Sequence, residues 1–307
     1  MYCDVESANK VPFLVQALKA QYGEEVTERI LHGMHARRIT TLRTNRLKTT
    51  PEQVEQQLSA AGIACSVWAM DDGAFLLSDA HEAAVQALPM YERGEIYLQS
   101  LSSMLPPLAL EPKENADILD MAAAPGGKTA QMASMTGNRA NITACEINKI
   151  RAEKLKYNLD KQGATRVNIM VRDARKLEDF FRFDQILLDA PCSGSGTILL
   201  DEPGTYRAFS EKLVRNSAAT QLALLKKALT ILKKGGSMVY STCSILSLEN
   251  ERVVQTALKG ASAHVEPLEL SGMADLPLLP CSLPGALCVC PTEQYEGFFV
   301  AKIRKDK

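Results

Sequence analysis

The chain has 307 residues, of which 35 are Lys or Arg and 36 are Asp or Glu, so its formal net charge is −1. Hydrophobic residues make up 46% and charged residues 23%, a balance that excludes a largely disordered or collagen-like chain. The near-zero charge also excludes a uniformly basic nucleic-acid coat. For this length we predict two domains, over residues 1–90 and 91–307.

The sequence indicates neither a membrane span nor secretion. It contains no run of about 18 uncharged apolar residues, and its first residues, MYCDVESANK, have no apolar signal core. We therefore expect a cytoplasmic protein whose eight cysteines are reduced thiols. The cysteines form no CxxC pair, and of the four histidines only His32 and His35 lie close together, so no metal site is predicted.

Two helices are predicted in the N-terminal domain, over residues 11–35 and in the segment PEQVEQQLSAAG. Between them, residues 36–48 contain no acid and five basic residues, Arg37, Arg38, Arg43, Arg46 and Lys48. On charge alone, this basic segment is either a solvated face or a surface that contacts phosphate groups. The segment LALEPKEN (108–115), which follows two prolines, is predicted to connect this part of the chain to a sheet domain.

Short apolar runs alternate with helical patterns from about residue 115 onward. Strands are predicted at residues 116–122, 141–147, 168–173, 183–191, 237–243 and 297–303. Helices are predicted in GKTAQMASMTG, at 148–163 and at 210–234, and the last of these is expected to end in the sequence Lys233, Lys234, Gly235 and Gly236. The alternation predicts an α/β fold with a doubly wound, mostly parallel, Rossmann-like sheet, preceded by a smaller N-terminal α/β domain.

The segment ILDMAAAPGGKTAQM joins the first predicted strand of this sheet to a helix, which is where a doubly wound fold binds its nucleotide ligand. Three small alanines, Ala122–Ala124, and two glycines, Gly126 and Gly127, let a ligand approach the backbone and the free N–H groups of the helix. A P-loop would need a glycine in place of Ala122, and the GxGxxG fingerprint is absent. The loop therefore favours a nucleoside ligand without a pyrophosphate, with S-adenosylmethionine as the leading candidate.

Acidic residues stand at the ends of four successive predicted strands: Asp120, Glu146, Asp173 and Asp189. Each alone is typical of a capping or turn residue, but all four strand ends face one crevice. Glu146 can accept hydrogen bonds from both ribose hydroxyls, and Asp173 can accept one from the adenine amino group. The arrangement therefore predicts a cofactor site.

Two cysteines are expected at the same edge, Cys192 in DAPCSGSG and Cys243 in YSTCS. A single cysteine there would be typical of a buried structural thiol, but the polar neighbours of this pair favour a chemical role. A thiolate that adds to carbon 6 of a pyrimidine makes carbon 5 nucleophilic enough to accept a methyl group from a sulfonium. Asp189 could then donate to ring nitrogen 3, and Lys128 could stabilise the thiolate or position the base.

The motifs DMAAAPGGKT, LDAPCSG and STCS together resemble the Sun-type (RsmB/Nop) family of RNA cytosine-5 methyltransferases. Three further segments, YLQSLSSMLPPLAL, LRTNRLKTTPEQV and EGFFVAKIRK, extend the resemblance to roughly residues 38–305. The resemblance implies an enzyme that transfers a methyl group from S-adenosylmethionine to a cytosine of ribosomal or transfer RNA, with an N-terminal domain that contacts the RNA. It implies no metal and no membrane partner.

The resemblance also implies roles for individual residues. Cys243 corresponds to the family's nucleophile, and Cys192 to the cysteine that helps to resolve the covalent adduct. The implied cofactor-binding residues are Ala122, Ala123, Ala124, Pro125, Gly126, Gly127, Lys128, Glu146, Arg151, Asp173 and Asp189.

The sequence departs from the family pattern at two places. Thr292 follows Pro291, where many members have histidine, and the sequence ends with GFFVAKIRKDK, so the additional C-terminal RNA-binding domain of some members is not expected. Two other functions stay open. A non-catalytic RNA-binding or assembly protein would need neither cysteine, and a methyltransferase of DNA or small molecules is disfavoured by the TC motif and the basic segment.

Overall fold

The computed structural model describes residues 10–78 and 80–307, so Cys3 and nearly all of the opening segment lie outside the described residues. The N-terminal part contains four strands and four helices within these bounds. They are α1 (Pro12–His35), β1 (Thr40–Thr44), α2 (Pro51–Ala60), β2 (Cys65–Trp68), β3 (Asp71–Leu77), α3 (Glu82–Gln86), α4 (Pro89–Glu92) and β4 (Ile96–Leu98). Both predicted helices are confirmed.

The strands of this part form an antiparallel sheet in the order β2-β3-β1-β4. Strand β4 belongs to this sheet, although it follows the predicted domain boundary at residue 90. Helix α2 begins with a capping box in which Thr50 and Gln53 satisfy each other's backbone N–H groups. Helix α1 packs elsewhere: its buried Leu14, Leu18 and Leu31 belong to the core cluster of the second sheet.

The second part of the chain contains the larger sheet and its helices. The elements are α5 (Leu101–Leu110), β5 (Asp117–Asp120), α6 (Gly127–Met135), β6 (Asn141–Glu146), α7 (Lys149–Gln162), β7 (Val167–Val171), β8 (Phe183–Asp189), α8 (Glu211–Ile231), β9 (Leu232–Thr242), α9 (Glu251–Leu258), β10 (Ala263–Glu266), β11 (Leu278–Leu279), β12 (Leu287–Val289) and β13 (Phe298–Lys305). The strands follow the order β11-β12-β13-β9-β8-β5-β6-β7, with β10 paired to β13.

The doubly wound fold is confirmed. Strands β9, β8, β5, β6 and β7 run parallel, and β13 pairs antiparallel with β9 and continues the sheet through β12 to β11. Alternate residues of the strands enter two different core clusters: Leu187 and Val239 pack with α5 and α6, whereas Leu188 and Tyr240 pack with α1 and α8. Both faces of the sheet are therefore covered, as a parallel sheet requires.

The predicted end of the long helix was wrong. Helix α8 ends at Ile231, and the Lys-Lys-Gly-Gly sequence lies inside β9. Leu232 is fully buried and pairs with Phe183 of β8, so sheet pairing overrides the helix-stop signal. A Cβ atom at Gly236 would lie 2.7 Å from the backbone oxygen of Asp184, so this glycine allows close approach of the two strands.

The predicted connection at residues 108–115 was wrong in its first three residues. Leu108–Leu110 complete helix α5, which contains Pro106 and Pro107. The apolar face of α5 packs against Ile118 and other strand residues, and this burial outweighs the helix-breaking tendency of the prolines. Among the residues that the structure describes, no helix combines the length and the apolar character needed to cross a bilayer.

Candidate active site

A cavity of about 390 Å³ opens at the carboxyl edge of the parallel strands. Its floor is the loop after β5 together with the end of β8, and its opposite wall comes from β1 and β4 of the N-terminal part and from the start of α5. Many of the predicted site residues line it. They are Asp120, Ala122, Ala123, Ala124, Pro125, Gly127, Lys128 and Asp189.

The glycines of the β5 loop are required by the packing around them. Gly126 is the N-cap of α6 at φ 110°, and a Cβ atom there would lie 2.9 Å from the Leu155 side chain. A Cβ atom at Gly127 would lie 3.0 Å from the ring of Tyr97. The loop therefore accommodates helix α7 on one side and the N-terminal part on the other, in addition to any ligand.

Asp120 is a buried carboxyl group at the end of β5. Its oxygens accept hydrogen bonds from the Thr129 hydroxyl, at 2.7 Å, and from the Ala122 backbone N–H, at 3.4 Å. Burial raises the pKa of Asp120 to about 6, and the nearby Asp189 carboxylate acts in the same direction.

Four predicted cofactor residues, Gly126, Glu146, Arg151 and Asp173, lie outside the lining of the cavity. Glu146 is buried, and its carboxylate accepts from the Asn148 N–H at 2.8 Å and lies 3.6 Å from Arg151. Arg151 donates to the Ala124 carbonyl at 2.8 Å, so both residues are linked to the β5 loop. Asp173 follows β7 by two residues and is paired with Arg175 at 2.8 Å, which lowers the pKa of Asp173.

Lys128 and Asp189 form an ion pair inside the cavity, with Nζ and Oδ2 2.7 Å apart. Lys128 also donates to the Ser103 hydroxyl at 2.6 Å, and Asp189 accepts from Ser241 at 2.8 Å. Burial works to lower the pKa of Lys128, but the charge of Asp189 and the hydrogen bond to it raise this pKa above its ordinary value. The pair therefore holds an ammonium group beside a carboxylate at neutral pH.

The Sγ atoms of Cys192 and Cys243 lie 3.0 Å apart, and both are free thiols. Register brings them together: Asp189 of β8 pairs with Ser241 of β9, and each cysteine follows its strand within a few residues. The predicted convergence of the two sulfur atoms is confirmed. The hydrogen bond between Cys192 and Cys243, followed by burial, raises the pKa of Cys192 well above its ordinary value. We call residues 190–196 and 243–249 the cysteine loops.

Sequence reasoning missed the polar residues that the N-terminal part and the closing segment contribute. Tyr97, Gln99, Ser103 and Glu296 all line the cavity. The segment YLQSLSS was noted only for its resemblance, although the four polar residues that follow its first two positions were a visible signal. Thr292, which stands in place of the family's histidine, accepts from two backbone N–H groups of its own turn.

In the basic segment (residues 36–48), Arg37, Arg46 and Lys48 are exposed, but Arg43 is buried. Arg43 is 2% exposed; it donates to the Gln99 side chain at 2.9 Å and to the Gly127 carbonyl at 3.0 Å, and burial lowers its pKa to about 10. Lys48 donates to two backbone carbonyls. Arg38 also donates to backbone carbonyls, and Arg46 pairs with two aspartates. Arg37 contacts the ring of His81, so all five basic side chains contact the protein itself.

Metal-binding side chains do not cluster in the part of the chain that the structure describes. No group of three or more His, Cys, Asp or Glu side chains within residues 10–78 and 80–307 is arranged to hold an ion.

Comparison with known proteins places these features in a family. Residues 107–304 match the family described as 16S rRNA methyltransferase RsmB/F, and residues 12–83 match the RsmF/B-like ferredoxin-like domain. The chain belongs to the RsmB/F methyltransferase family. It is 31% identical over 301 residues to the probable ribosomal RNA small subunit methyltransferase B of Bacillus subtilis, with coverage of 95% of this chain and 66% of the relative.

Two further relatives are similar over most of this chain. It is 36% identical to the ribosomal RNA small subunit methyltransferase F of Shewanella woodyi, over 86% of this chain and 57% of the relative. It is 37% identical to the human 28S rRNA (cytosine(4447)-C(5))-methyltransferase, over 87% of this chain and 34% of the relative. The chain thus spans less than two thirds of the length of these relatives.

A solved structure shares the whole fold. The crystal structure of a methyltransferase homolog protein from Pyrococcus horikoshii superposes with a TM-score of 0.82 at 31% identity, covering 97% of this chain and 98% of that chain.

Proposed function

We propose that this protein is an RNA (cytosine-5) methyltransferase that uses S-adenosylmethionine and acts on ribosomal RNA. The observation that carries the proposal is the approach of two thiols to 3.0 Å beside a cavity that contains the Lys128–Asp189 ion pair. The names of the three relatives favour ribosomal RNA over the transfer RNA that the sequence left open.

The residues of the cavity fit S-adenosylmethionine. A volume of about 390 Å³ lies in the range of small-molecule sites, and the small side chains of Ala122–Ala124 leave the space over the β5 loop open. The first N–H groups of α6 would bind the carboxylate of the cofactor. We propose that Glu146 accepts from the ribose hydroxyls, that Asp173 lies toward the adenine, and that Arg151 holds the loop through Ala124. When bound, the cofactor supplies the electrophilic methyl group.

The two thiols would divide the reaction between them. Cys192 holds its proton at neutral pH because its pKa is raised, and it can donate a hydrogen bond to the Cys243 sulfur at 3.0 Å. Cys243 then adds to carbon 6 of the cytosine and makes carbon 5 nucleophilic. After carbon 5 has been methylated and a base has removed its proton, the bond between carbon 6 and sulfur breaks. Cys192 donates again to the leaving thiolate, which resolves the adduct.

Lys128 and Asp189 would stabilise the charge that develops on the ring. The attack of a thiolate at carbon 6 places negative charge toward ring nitrogen 3, which requires a proton or a hydrogen-bond donor. The ammonium of Lys128 and the carboxylate of Asp189 form an ion pair at 2.7 Å, and both side chains are mostly buried. This pair can supply the proton to nitrogen 3, while the carboxylate accepts from the exocyclic amino group.

The target base must leave its stack to reach this site, because both thiols are partly buried. The proposal is tested by offering a labelled methyl donor with total RNA, DNA or a metabolite extract. We expect label in ribosomal RNA as 5-methylcytosine, located by bisulfite sequencing. Cys65→Ala, which changes a free thiol on β2, serves as the control and should be fully active. Labelled DNA or metabolites, or RNA without 5-methylcytosine, would overturn the proposal.

A further inference from the structure

A buried carboxylate joins the two cysteine loops from within the protein. Glu249 has no exposed surface, and one of its oxygens accepts from the Ser193 backbone N–H at 2.8 Å. The other oxygen accepts from the hydroxyls of Ser193, at 2.5 Å, and Ser244, at 2.7 Å. Ser193 directly follows Cys192, and Ser244 directly follows Cys243. One side chain therefore holds the residue next to each cysteine.

The directions of the surrounding hydroxyl groups follow from proton counting. The single hydroxyl proton of Ser244 is donated to Glu249, so Ser195 must be the donor in the 2.9 Å contact between the two serine hydroxyls. The Ser195 oxygen in turn accepts from the Ile245 N–H at 3.0 Å. Both serines are fully buried. This chain of hydrogen bonds provides a second connection between the loops, ordered by the same carboxylate.

Helix α8 contributes a further hydrogen-bond donor to the Glu249 carboxylate. The amide group of Gln221, which is fully buried, donates to Glu249 at 3.2 Å and to the Pro191 carbonyl at 3.0 Å. The Gly196 N–H donates to the Cys243 carbonyl at 3.0 Å. The first cysteine loop is thus held on both sides of its cysteine, and all four hydrogen bonds to the carboxylate come from neutral donors.

From this network we propose that Glu249 is a positioning residue that sets the separation of the Cys192 and Cys243 sulfur atoms. This inference rests on the proposed function, in which the two thiols act on one pyrimidine ring. A nucleophile and its resolving group must both reach adjacent ring carbons, so a displacement of about 1 Å is expected to slow the reaction on the order of 100-fold.

Three variants test whether Glu249 acts by holding the two cysteine loops together or by its negative charge. Glu249→Ala removes the connection and leaves its donors unpaired, whereas Glu249→Gln keeps the four contacts, with the serine hydroxyls turned to accept from the new amide. Glu251→Gln is the matched control, because Glu251 is a buried acid two residues away that lines a different cavity between α1 and α9. If Glu249→Ala does not fold, Glu249→Asp replaces it, since its shorter side chain cannot reach both loops.

The first measurement reports the sulfur separation without any RNA. Each folded variant is treated with the thiol oxidant diamide, and the rate of disulfide formation between Cys192 and Cys243 is followed by mass spectrometry of the linked peptides. Because a disulfide needs closely placed Cβ atoms, we expect the rate to fall about tenfold in Glu249→Ala. It should stay within about threefold of the parent in Glu249→Gln and Glu251→Gln, where the loops remain connected.

The second measurement is methyl transfer to RNA. For Glu249→Ala, kcat should fall on the order of 100-fold with little change in KM, because binding surfaces are retained while the thiols are displaced. Glu249→Gln should recover most of this loss. The inference is overturned if the oxidation rate of Glu249→Ala is unchanged, or if Glu249→Gln is as impaired as Glu249→Ala. If the parent enzyme transfers no methyl group but the oxidation rates follow the expected order, the proposed function fails while the positioning role holds.

Discussion

The two polar regions beside the cavity, the cysteine loops and the basic segment, are built in opposite ways. In the cysteine loops, buried neutral side chains and Glu249 hold the backbone, and the two thiols are left 3.0 Å apart. In the basic segment the charged groups themselves are used for internal contacts, as with Arg43 and Lys48. A charged residue beside a binding site is therefore not by itself a binding residue. Its role depends on whether its hydrogen-bond capacity is already used.

The largest effect that this comparison predicts is on catalysis. Lys128→Met removes the ammonium that stabilises developing ring charge and leaves Asp189 as an unpaired carboxylate, so kcat should fall on the order of 10³-fold. Lys48→Met makes the same change in the basic segment, where the ammonium only contacts backbone carbonyls, and kcat should stay within about threefold. Steady-state methyl transfer at saturating RNA measures both. If kcat fell equally in the two variants, the proposed difference between Lys128 and Lys48 would be wrong.

A smaller effect is expected from the buried carboxyl group of Asp120. Its folded pKa of about 6 lies above that of an unfolded chain, so the folded protein binds more protons between about pH 4 and pH 6. The protonated group therefore contributes its full stabilisation below about pH 4. As the pH rises through 6 this contribution is lost, and the free energy of unfolding falls by about 3 kcal/mol in total. Asp120→Asn should abolish this pH-dependent part of the free energy of unfolding.

Urea unfolding at pH 4.5, 5.5 and 6.5 measures the effect of Asp120. The difference in unfolding free energy between the parent and Asp120→Asn should change steadily across this series, with the parent losing stability relative to the variant. A constant difference at all three pH values would show that the carboxyl group does not titrate in this range.

The smallest expected effects are on the free energy of unfolding, and they distinguish a buried from an exposed arginine in the basic segment. Arg43→Met leaves the Gln99 oxygen and the Gly127 carbonyl without their donor, so the free energy of unfolding should fall by about 2 kcal/mol. Arg37→Met, at an exposed guanidinium that contacts His81, should change it by less than about 0.5 kcal/mol.

The RNA-binding properties of the same two variants sharpen the comparison. Binding to a ribosomal RNA fragment is measured over a range of salt concentrations. If the exposed guanidinium neutralises a phosphate, Arg37→Met should reduce the slope of log affinity against log salt by up to about one unit, and Arg43→Met should leave it unchanged. A reduced slope for Arg43→Met would mean that this buried residue also contacts RNA.

Sequence patterns predicted the fold and the cysteine pair because both depend on local periodicity and on strand ends. The order of strands places Asp189, Cys192 and Cys243 at one edge, and no side-chain detail is needed to see this. The end of α8 was missed because Leu232 is drawn into the sheet by pairing with a distant strand. The role of Arg43 was missed because a linear charge pattern does not show that Gln99 and Gly127 lie against it. Glu249 is equally invisible, since its partners are 56 and 5 residues away.

The central claim is that Cys243 forms a covalent bond to the target cytosine and that Cys192 is needed to release it. Its most direct test is to incubate Cys192→Ala with ribosomal RNA and methyl donor and to separate the products on a denaturing gel. We predict a protein–RNA adduct that survives denaturation, is absent from Cys243→Ala, and is lost when both cysteines are replaced. An adduct that persists in the double variant, or normal turnover by Cys243→Ala, would contradict the account.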